Sequence, residues 1–263
     1  MTSLVQSGPA RLGRSVASLE FTVLERPVVV EFEGLQIPHV LTLVQEVFAD
    51  LDPRPVVGRE PDLLLEADGE NTEALLERLG QGLCLWGIHE RRLDLLMLHA
   101  CGVCDPSSGA SVGLVGPSGM GKSTAASVLA RRWGYLSDEL LAIDADLGVV
   151  PFPKPLSIVV PGREVKDQKT PAGLGLLPAA PAPRLAGLLL LDRQPHPGVA
   201  VEQIATVDAL ALLAPHISYL AHLPRPLHRI AETLHAIGGL RRVTYHQADD
   251  LVPVVADLLG DAR

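Results

Sequence analysis

Aromatic residues are scarce in this chain: Phe, Tyr and Trp make up 3% of 263 residues. A core must therefore be assembled from Leu, Val, Ala and Ile. Lysine is rare as well, with 4 residues against 18 arginines, and all four fall between Lys122 and Lys169. The 3 cysteines are too few for a disulfide framework. No uncharged apolar run reaches membrane-spanning length; the longest compact one, Leu185 to Leu191, is strand-sized. The first residues lack an apolar signal core. These absences point to a cytoplasmic protein without a membrane partner.

What is present fits a folded chain. Hydrophobic residues make up 47% and charged ones 20%, which suits one large domain or a core with a smaller lobe. The net charge of −9 is uneven: residues 1–95 hold 16 acidic and 8 basic side chains. An acidic lobe excludes a general nucleic-acid binder, which needs a basic footprint. It reads as solubility charge, or as an attraction for a basic partner.

Residues 18–24 and 28–33 carry strand patterns, 38–51 a helical one, and 62–66 another strand that ends at an Asp68-Gly69 turn. Asn71-Thr72 precedes a helical run from Glu73 to Leu85. The pattern changes near Leu93. LLMLHACGV reads as a strand, PSSG at 106–109 as a turn, and Ala110 to Val115 as a second strand. A helix is expected from Ala125 to Trp133, and residues 151–184, rich in Pro and Gly, read as a loop or lid. Ala186 to Leu191 has the composition of a strand buried on both faces. Helices at 207–222 and 226–237, a strand at 242–246 and a helix at 249–259 complete the reading. The organisation is an α+β lobe over 1–92, suited to substrate docking, and an α/β nucleotide-binding core over 93–263.

Gly116-Pro117-Ser118-Gly119-Met120-Gly121-Lys122-Ser123, followed by Thr124, matches the phosphate-binding loop G-x-x-x-x-G-K-[ST] at every fixed position. The strand before it and the helix after it supply the context that the motif requires. Glycines let consecutive amides turn inward around a phosphate, and the helix N-terminus adds a positive dipole end. Lys122 would neutralise the β- and γ-phosphates of ATP, and the Ser123 hydroxyl would ligate Mg²⁺.

Two carboxylates compete for the chemistry. Asp192 ends the apolar strand GLLLLD in the manner of a metal-holding acid, or is a solvated strand end. Asp138 in YLSDE follows a helix and a short strand. In a parallel sheet, such an acid on a neighbouring strand faces the phosphate loop at the carboxyl edge.

LHACGV, GPSGMGKST, GYLSDE and PFPKPL, in this order and spacing, resemble the HPr kinase/phosphorylase superfamily. The likeness is greatest to its short relatives associated with peptide biosynthesis, such as lasso-peptide precursor kinases. It covers about residues 93–250 and implies a nucleotide-binding core of the HPr kinase C-terminal type. It also implies ATP, Mg²⁺ and a hydroxyl acceptor, namely a Ser or Thr of a peptide or protein. By position, His99 falls where the family has a histidine near the transferred phosphate. Asp138 inherits the role of general base, and Asp138 and Glu139 fall on an acidic pair that also serves the metal. Glu139 departs from the family's usual Asp there. The family's closing glycine-rich signature has no clean copy; Glu164 is the nearest acid, and the departure argues against HPr as the acceptor.

Lys154 stands among prolines in PFPKPLS, where a compact ammonium suits a phosphate oxygen, or where it is a surface residue in a turn. Arg163, Lys166 and Lys169 read as a solvated basic loop rather than one closing on an anion. His196, His216, His222, His228, His235 and His246 lack zinc spacing and read as structural or surface residues. Cys101 and Cys104 sit on one expected strand and face opposite sides, which disfavours a redox pair. Neither an LSGGQ nor an N-K-x-D motif occurs, so a transporter ATPase and a GTPase are disfavoured. A small-molecule kinase, for example on a free amino acid, and a nucleotide-dependent switch remain as alternatives. Homo-oligomerisation stays open.

Overall fold

The computed structural model describes residues 15–68, 71–159, 162 and 165–260. Gly69 of the expected turn, and Arg163 and Glu164 of the charged stretch, lie outside them. β1 (Ser15–Val23) and β2 (Arg26–Gly34) form an antiparallel hairpin in which Leu19 pairs with Val30 and Phe21 with Val28, all four buried. Alternation at period two puts these side chains on one face. Across that face lie α1 (Ile37–Val47) and α2 (Thr72–Glu90), with β3 (Arg54–Val56) and β4 (Leu63–Glu66) on the sheet edges.

The α2 helix starts where expected: the Asn71 side chain caps it by accepting from the Ala74 amide at 2.7 Å. Leu75, Leu76, Leu79 and Leu83 form its buried stripe. It continues past Leu85 to Glu90, because Gly87 packs onto Val23 and Leu24 of the β1–β2 turn. Tertiary contact there overrides the weak helix propensity of Trp86 and Gly87.

The second half contains β5 (Leu96–Cys104), β6 (Ala110–Val115), α3 (Lys122–Leu129), β7 (Gly134–Ser137), β8 (Leu140–Ile143), β9 (Val149–Val150), β10 (Leu156–Ile158), β11 (Asp167–Lys169) and β12 (Leu177–Pro178). β13 (Arg184–Arg193), β14 (Ala200–Gln203), α4 (Thr206–Leu213), α5 (Pro226–Ala236), β15 (Leu240–Tyr245) and α6 (Leu251–Leu259) follow. Among the described residues nine of these strands build a mixed sheet, in the order β12-β7-β5-β6-β13-β15-β14, with β8 also along β5 and β9 on β8, while β10 and β11 pair only with each other. The architecture is mixed α/β. No helix of the described residues is long and apolar enough to cross a membrane.

Three expectations need correcting. β7 does not neighbour β6 in a parallel sheet. β5 lies between them and runs antiparallel to both, because the tight Asp105 turn joins β5 to β6 as a hairpin. That carboxylate accepts from the amides of Ser107 at 3.0 Å and Ser108 at 2.6 Å. The segment 151–184 is more than a lid, since Phe152, Leu156 and Leu176 are buried in the core. The helix expected over 207–222 stops at Leu213, before Pro215. The chain then pairs with β5: Leu98 bridges Ile217, and the Ser218 amide donates to the Met97 carbonyl at 2.9 Å.

β5 is the strand that both halves share. On one face Met97 joins the N-terminal core, while Cys101 and Val103 join the core under α3. On the other face Leu96, Leu98, Ala100 and Cys104 pack with α4 and α5. Cys101 and Cys104 therefore face opposite sides, both as buried free thiols.

Cross-strand partners Gly102 and Gly113 leave room for the Leu141 methyls. A Cβ on Gly113 would lie 2.4 Å from Leu141 Cδ2 and 2.7 Å from Leu188 Cδ2. Gly113→Ala is expected to lower unfolding stability by about 1–3 kcal/mol through overpacking. Gly82→Ala in α2, which meets only Leu63 Cδ1 at 3.6 Å, should raise it by about 0.5–1 kcal/mol. Urea unfolding of the two variants checks both signs.

Candidate functional site

The loop from Gly116 to Gly121 leaves β6 and enters α3 with Gly119 and Gly121 at positive φ, 85° and 89°. Only glycine takes these values without strain. Pro117, Ser118 and Gly119 are exposed, and Thr124 points outward. The Lys122 ammonium lies inside the loop, 2.6 Å from the Gly116 carbonyl and 3.2 Å from that of Pro117. Ser123 is partly buried at the helix start, where the first amides of α3 have no partner within the helix. Tyr245, at the end of β15, donates its hydroxyl to the Met120 carbonyl and so anchors the loop tip.

His99 stands between Met97 and Cys101 on the shared face of β5, at the seam where the N-terminal core meets the α3 core. β7 and β8 run one after the other along β5, and Asp138 and Glu139 occupy the junction between them. Ser137 pairs with Gly102 and Leu140 with His99, so Asp138 falls opposite Cys101, on the face of His99 and α3. The Ala100 amide donates to the Glu139 carbonyl at 3.1 Å, which keeps the junction in the ladder.

Lys154 crosses the same seam, between Phe152 in the N-terminal core and Leu156 in the α3 core. Its ammonium reaches Asp138 Oδ1 and Glu139 Oε2, each at 3.2 Å, and the Pro155 carbonyl at 3.3 Å. These contacts take all three of its donors. Lys154 thus holds the acidic pair rather than facing the loop. Tyr135 donates to Asp138 Oδ1 at 3.2 Å and to the Lys154 carbonyl at 3.3 Å. Lys154 and Asp138 are 4% and 5% exposed, whereas the Glu139 side chain is 38% exposed. Burial works against the Lys154 charge, but Asp138 and Glu139 outweigh it and hold its pKa above the ordinary lysine value. Burial, with Asp138, pushes the Tyr135 phenol well up.

His216 joins this group, although the sequence marks it only as a scattered histidine. The Leu98–Ile217 bridge places it opposite His99 across the strand pair. Burial lowers the pKa of His216, and the charges of Lys122 and His99 lower it further. Burial and then Lys122 lower that of His99, against the raising influence of Glu139 and Asp138. Both imidazoles are therefore neutral near pH 7. Burial also lowers the Lys122 pKa, offset in part by Cys101 and Glu139.

The remaining candidates lie elsewhere. Asp192 shares the face of Leu188 and Leu190, opposite to Leu189 and Leu191 beneath α3, and accepts from Gln194 Nε2 at 2.7 Å. Lys166 pairs with Glu77 of α2 at 3.6 Å and Lys169 with Asp167 at 3.5 Å, so both are tied down. Among the described residues no group of three or more His, Cys, Asp or Glu could hold a metal ion. Mg²⁺ bound mainly by phosphate and water oxygens needs only one or two protein oxygens, and the Ser123 hydroxyl and the half-exposed Glu139 carboxylate fit that demand.

A cavity of about 270 Å³ opens beside the seam. Cys84, Leu85 and Ile88 of α2 form one wall, and His99, Glu139 and Ser218 line the other. The Cys84 thiol is pushed up to about 12 by burial and then by Glu139, so it is an inert wall. Compared with known proteins, the chain matches no family model and no curated protein.

Removing the Lys154 ammonium would leave the buried Asp138 carboxylate unpaired. Lys154→Met is expected to destabilise the fold by about 3–5 kcal/mol, and adding Asp138→Asn should recover part of that loss. Denaturant unfolding of the single and double variants measures this coupling; simple additivity would contradict the pairing.

Proposed function

We propose that this chain is an ATP- and Mg²⁺-dependent kinase of the HPr kinase type, which moves the γ-phosphoryl group onto a hydroxyl. The observation that carries the reading is the convergence on one face of β5. The loop lysine Lys122, the neutral pair His99 and His216, and the Asp138 carboxylate held by Lys154 are gathered there.

Phosphoryl transfer proceeds through a loose anionic transition state, so catalysis is chiefly positioning and charge stabilisation. The amides of the Gly116–Gly121 loop and the start of α3 cradle the phosphates. Lys122 swings from its loop carbonyls to phosphate oxygens, as an ammonium with rotatable donors can. Ser123 and Glu139 would be the protein oxygens that hold Mg²⁺, which would supply further positive charge at the phosphates. His99 and His216, being neutral, can each donate one N–H to a phosphoryl oxygen.

Asp138 accepts the proton of the attacking hydroxyl. Its bonds from Tyr135 and Lys154 both end on Oδ1, and Oδ2 is the oxygen for the proton. The acceptor hydroxyl enters through the cavity beside α2, which shares His99 and Glu139 with the seam. That cavity suits a Ser or Thr side chain entering from a peptide. Its volume of about 270 Å³ equally favours a small hydroxyl compound, which keeps the small-molecule kinase as a second reading.

The test follows γ-labelled ATP with Mg²⁺ in an extract of the source cells. Label should pass to a peptide or protein hydroxyl. Asp138→Asn should abolish transfer while ATP still binds, and Lys122→Ala should slow it by about 10²-fold or more. Full activity in either variant would overturn the assigned role, and label only as free phosphate would favour the switch.

A further inference from the structure

We infer, on the strength of the proposed kinase activity, that Ser218 is a second acceptor. The chain phosphorylates its own Ser218 hydroxyl and thereby closes its acceptor cavity.

The order of strands along β5 puts Ser218 beside the phosphate loop. β7 and then β8 occupy one edge of β5. β6 occupies the other as far as Ala100, opposite Val115, and there leaves the sheet for the Gly116–Gly121 loop. Residues 217 and 218 take the edge so vacated, through the Leu98–Ile217 bridge and the bond from the Ser218 amide to the Met97 carbonyl. Ile217 turns with Leu98 into the core that includes α4 and α5. Ser218 looks out on the opposite face, where it lines the cavity together with His99 and Glu139. Two residues before it, His216 has its pKa lowered by burial and then by the charges of Lys122 and His99. This stretch therefore lies within the field of the loop lysine.

Ser218 is half-buried, and among the described residues its hydroxyl makes no hydrogen bond. Tyr219, the next residue, has φ 52°, in the left-handed region that a bulky residue enters only under constraint. Its hydroxyl stands 3.4 Å from Nδ1 of His89 in α2, with the two rings edge to face at 5.9 Å. Ser218 is thus pinned between β5 and α2 while its hydroxyl stays free in the cavity. A hydroxyl already held at the site has no freedom of association to lose.

In the step, Ser218 Oγ forms a bond to the γ-phosphorus of ATP as the bond from that phosphorus to the bridging oxygen breaks. The hydroxyl proton passes to Asp138, and ADP leaves with the electron pair. Phosphoserine carries about −1.5 to −2 charges at neutral pH. It would stand beside the Glu139 carboxylate in a cavity of about 270 Å³. Bulk and like charge then exclude an external hydroxyl.

Incubation of the full chain with γ-labelled ATP and Mg²⁺ alone, followed by mass spectrometry of its peptides, tests this. Label should accumulate on Ser218. Its rate per chain should not change on dilution, since a half-buried serine is reached by its own site. Ser218→Ala should lose the label, and Ser218→Thr, which keeps a hydroxyl, should retain it. Chain preloaded with unlabelled ATP should lose transfer to hydroxyls of a source-cell extract. Label on another residue, a rate per chain that rises with chain concentration, or undiminished transfer by the preloaded chain would each overturn the inference. Label that reaches an extract hydroxyl while Ser218 stays unlabelled overturns self-phosphorylation alone. Label on neither overturns the kinase activity, and this assignment with it.

Discussion

The buried ammonium of Lys154 is the constraint on which this structure turns. A lysine 4% exposed must find its full set of acceptors inside the protein. It finds them in Asp138, Glu139 and the Pro155 carbonyl. That demand fixes where the extended segment after Phe152 crosses the sheet. It also fixes which oxygen of Asp138 is engaged. The prolines on either side of Lys154 reduce the chain's freedom to move away from this arrangement.

The same constraint explains why the site lies at a seam. The N-terminal core and the α3 core both pack on one face of β5, and neither covers the strand's middle. His99 and Asp138 occupy this gap, His99 exposed to solvent and Asp138 buried against its Lys154 partner. Lys122 comes to it from the loop, His216 from the segment that pairs with β5 after Pro215, and α2 closes the side. The electrostatics agree with the placement: burial, and after it the Lys122 cation, lowers the pKa of both imidazoles, while a second cation is held by carboxylates one strand away.

Much of this was legible in the sequence, for identifiable reasons. The Gly116–Ser123 loop is a local motif with fixed spacing, and the short apolar runs on either side of the PSSG turn identify β5 and β6. The opposite orientation of Cys101 and Cys104 follows from the period of two in a strand. The structure places His99 and Asp138 on one face, but their alignment rests on the β5–β7–β8 register, which is a long-range pairing. Lys154 was visible as an unusual residue but not as the partner of Asp138, because the fifteen intervening residues carry no periodic signal that links them. His216 was hidden for a different reason. Residues 207–222 are apolar at helical spacing, and only the free edge of β5 and Pro215 break that pattern into a helix and a bridge. Tyr135 gave no signal beyond strand composition. Neither did the length of α2, which packing on Leu24 extends.

The central claim is that Lys122 and the two histidines form one electrostatic unit on the shared face of β5. An NMR pH titration of the imidazole resonances, in the wild-type chain and in Lys122→Gln, tests it most directly. The account predicts that His99 and His216 both titrate below the ordinary value of 6.5. Loss of the Lys122 ammonium should move both midpoints upward, since a neighbouring cation disfavours the imidazolium. Ordinary midpoints that do not respond to the substitution would place the histidines away from the loop and contradict the site.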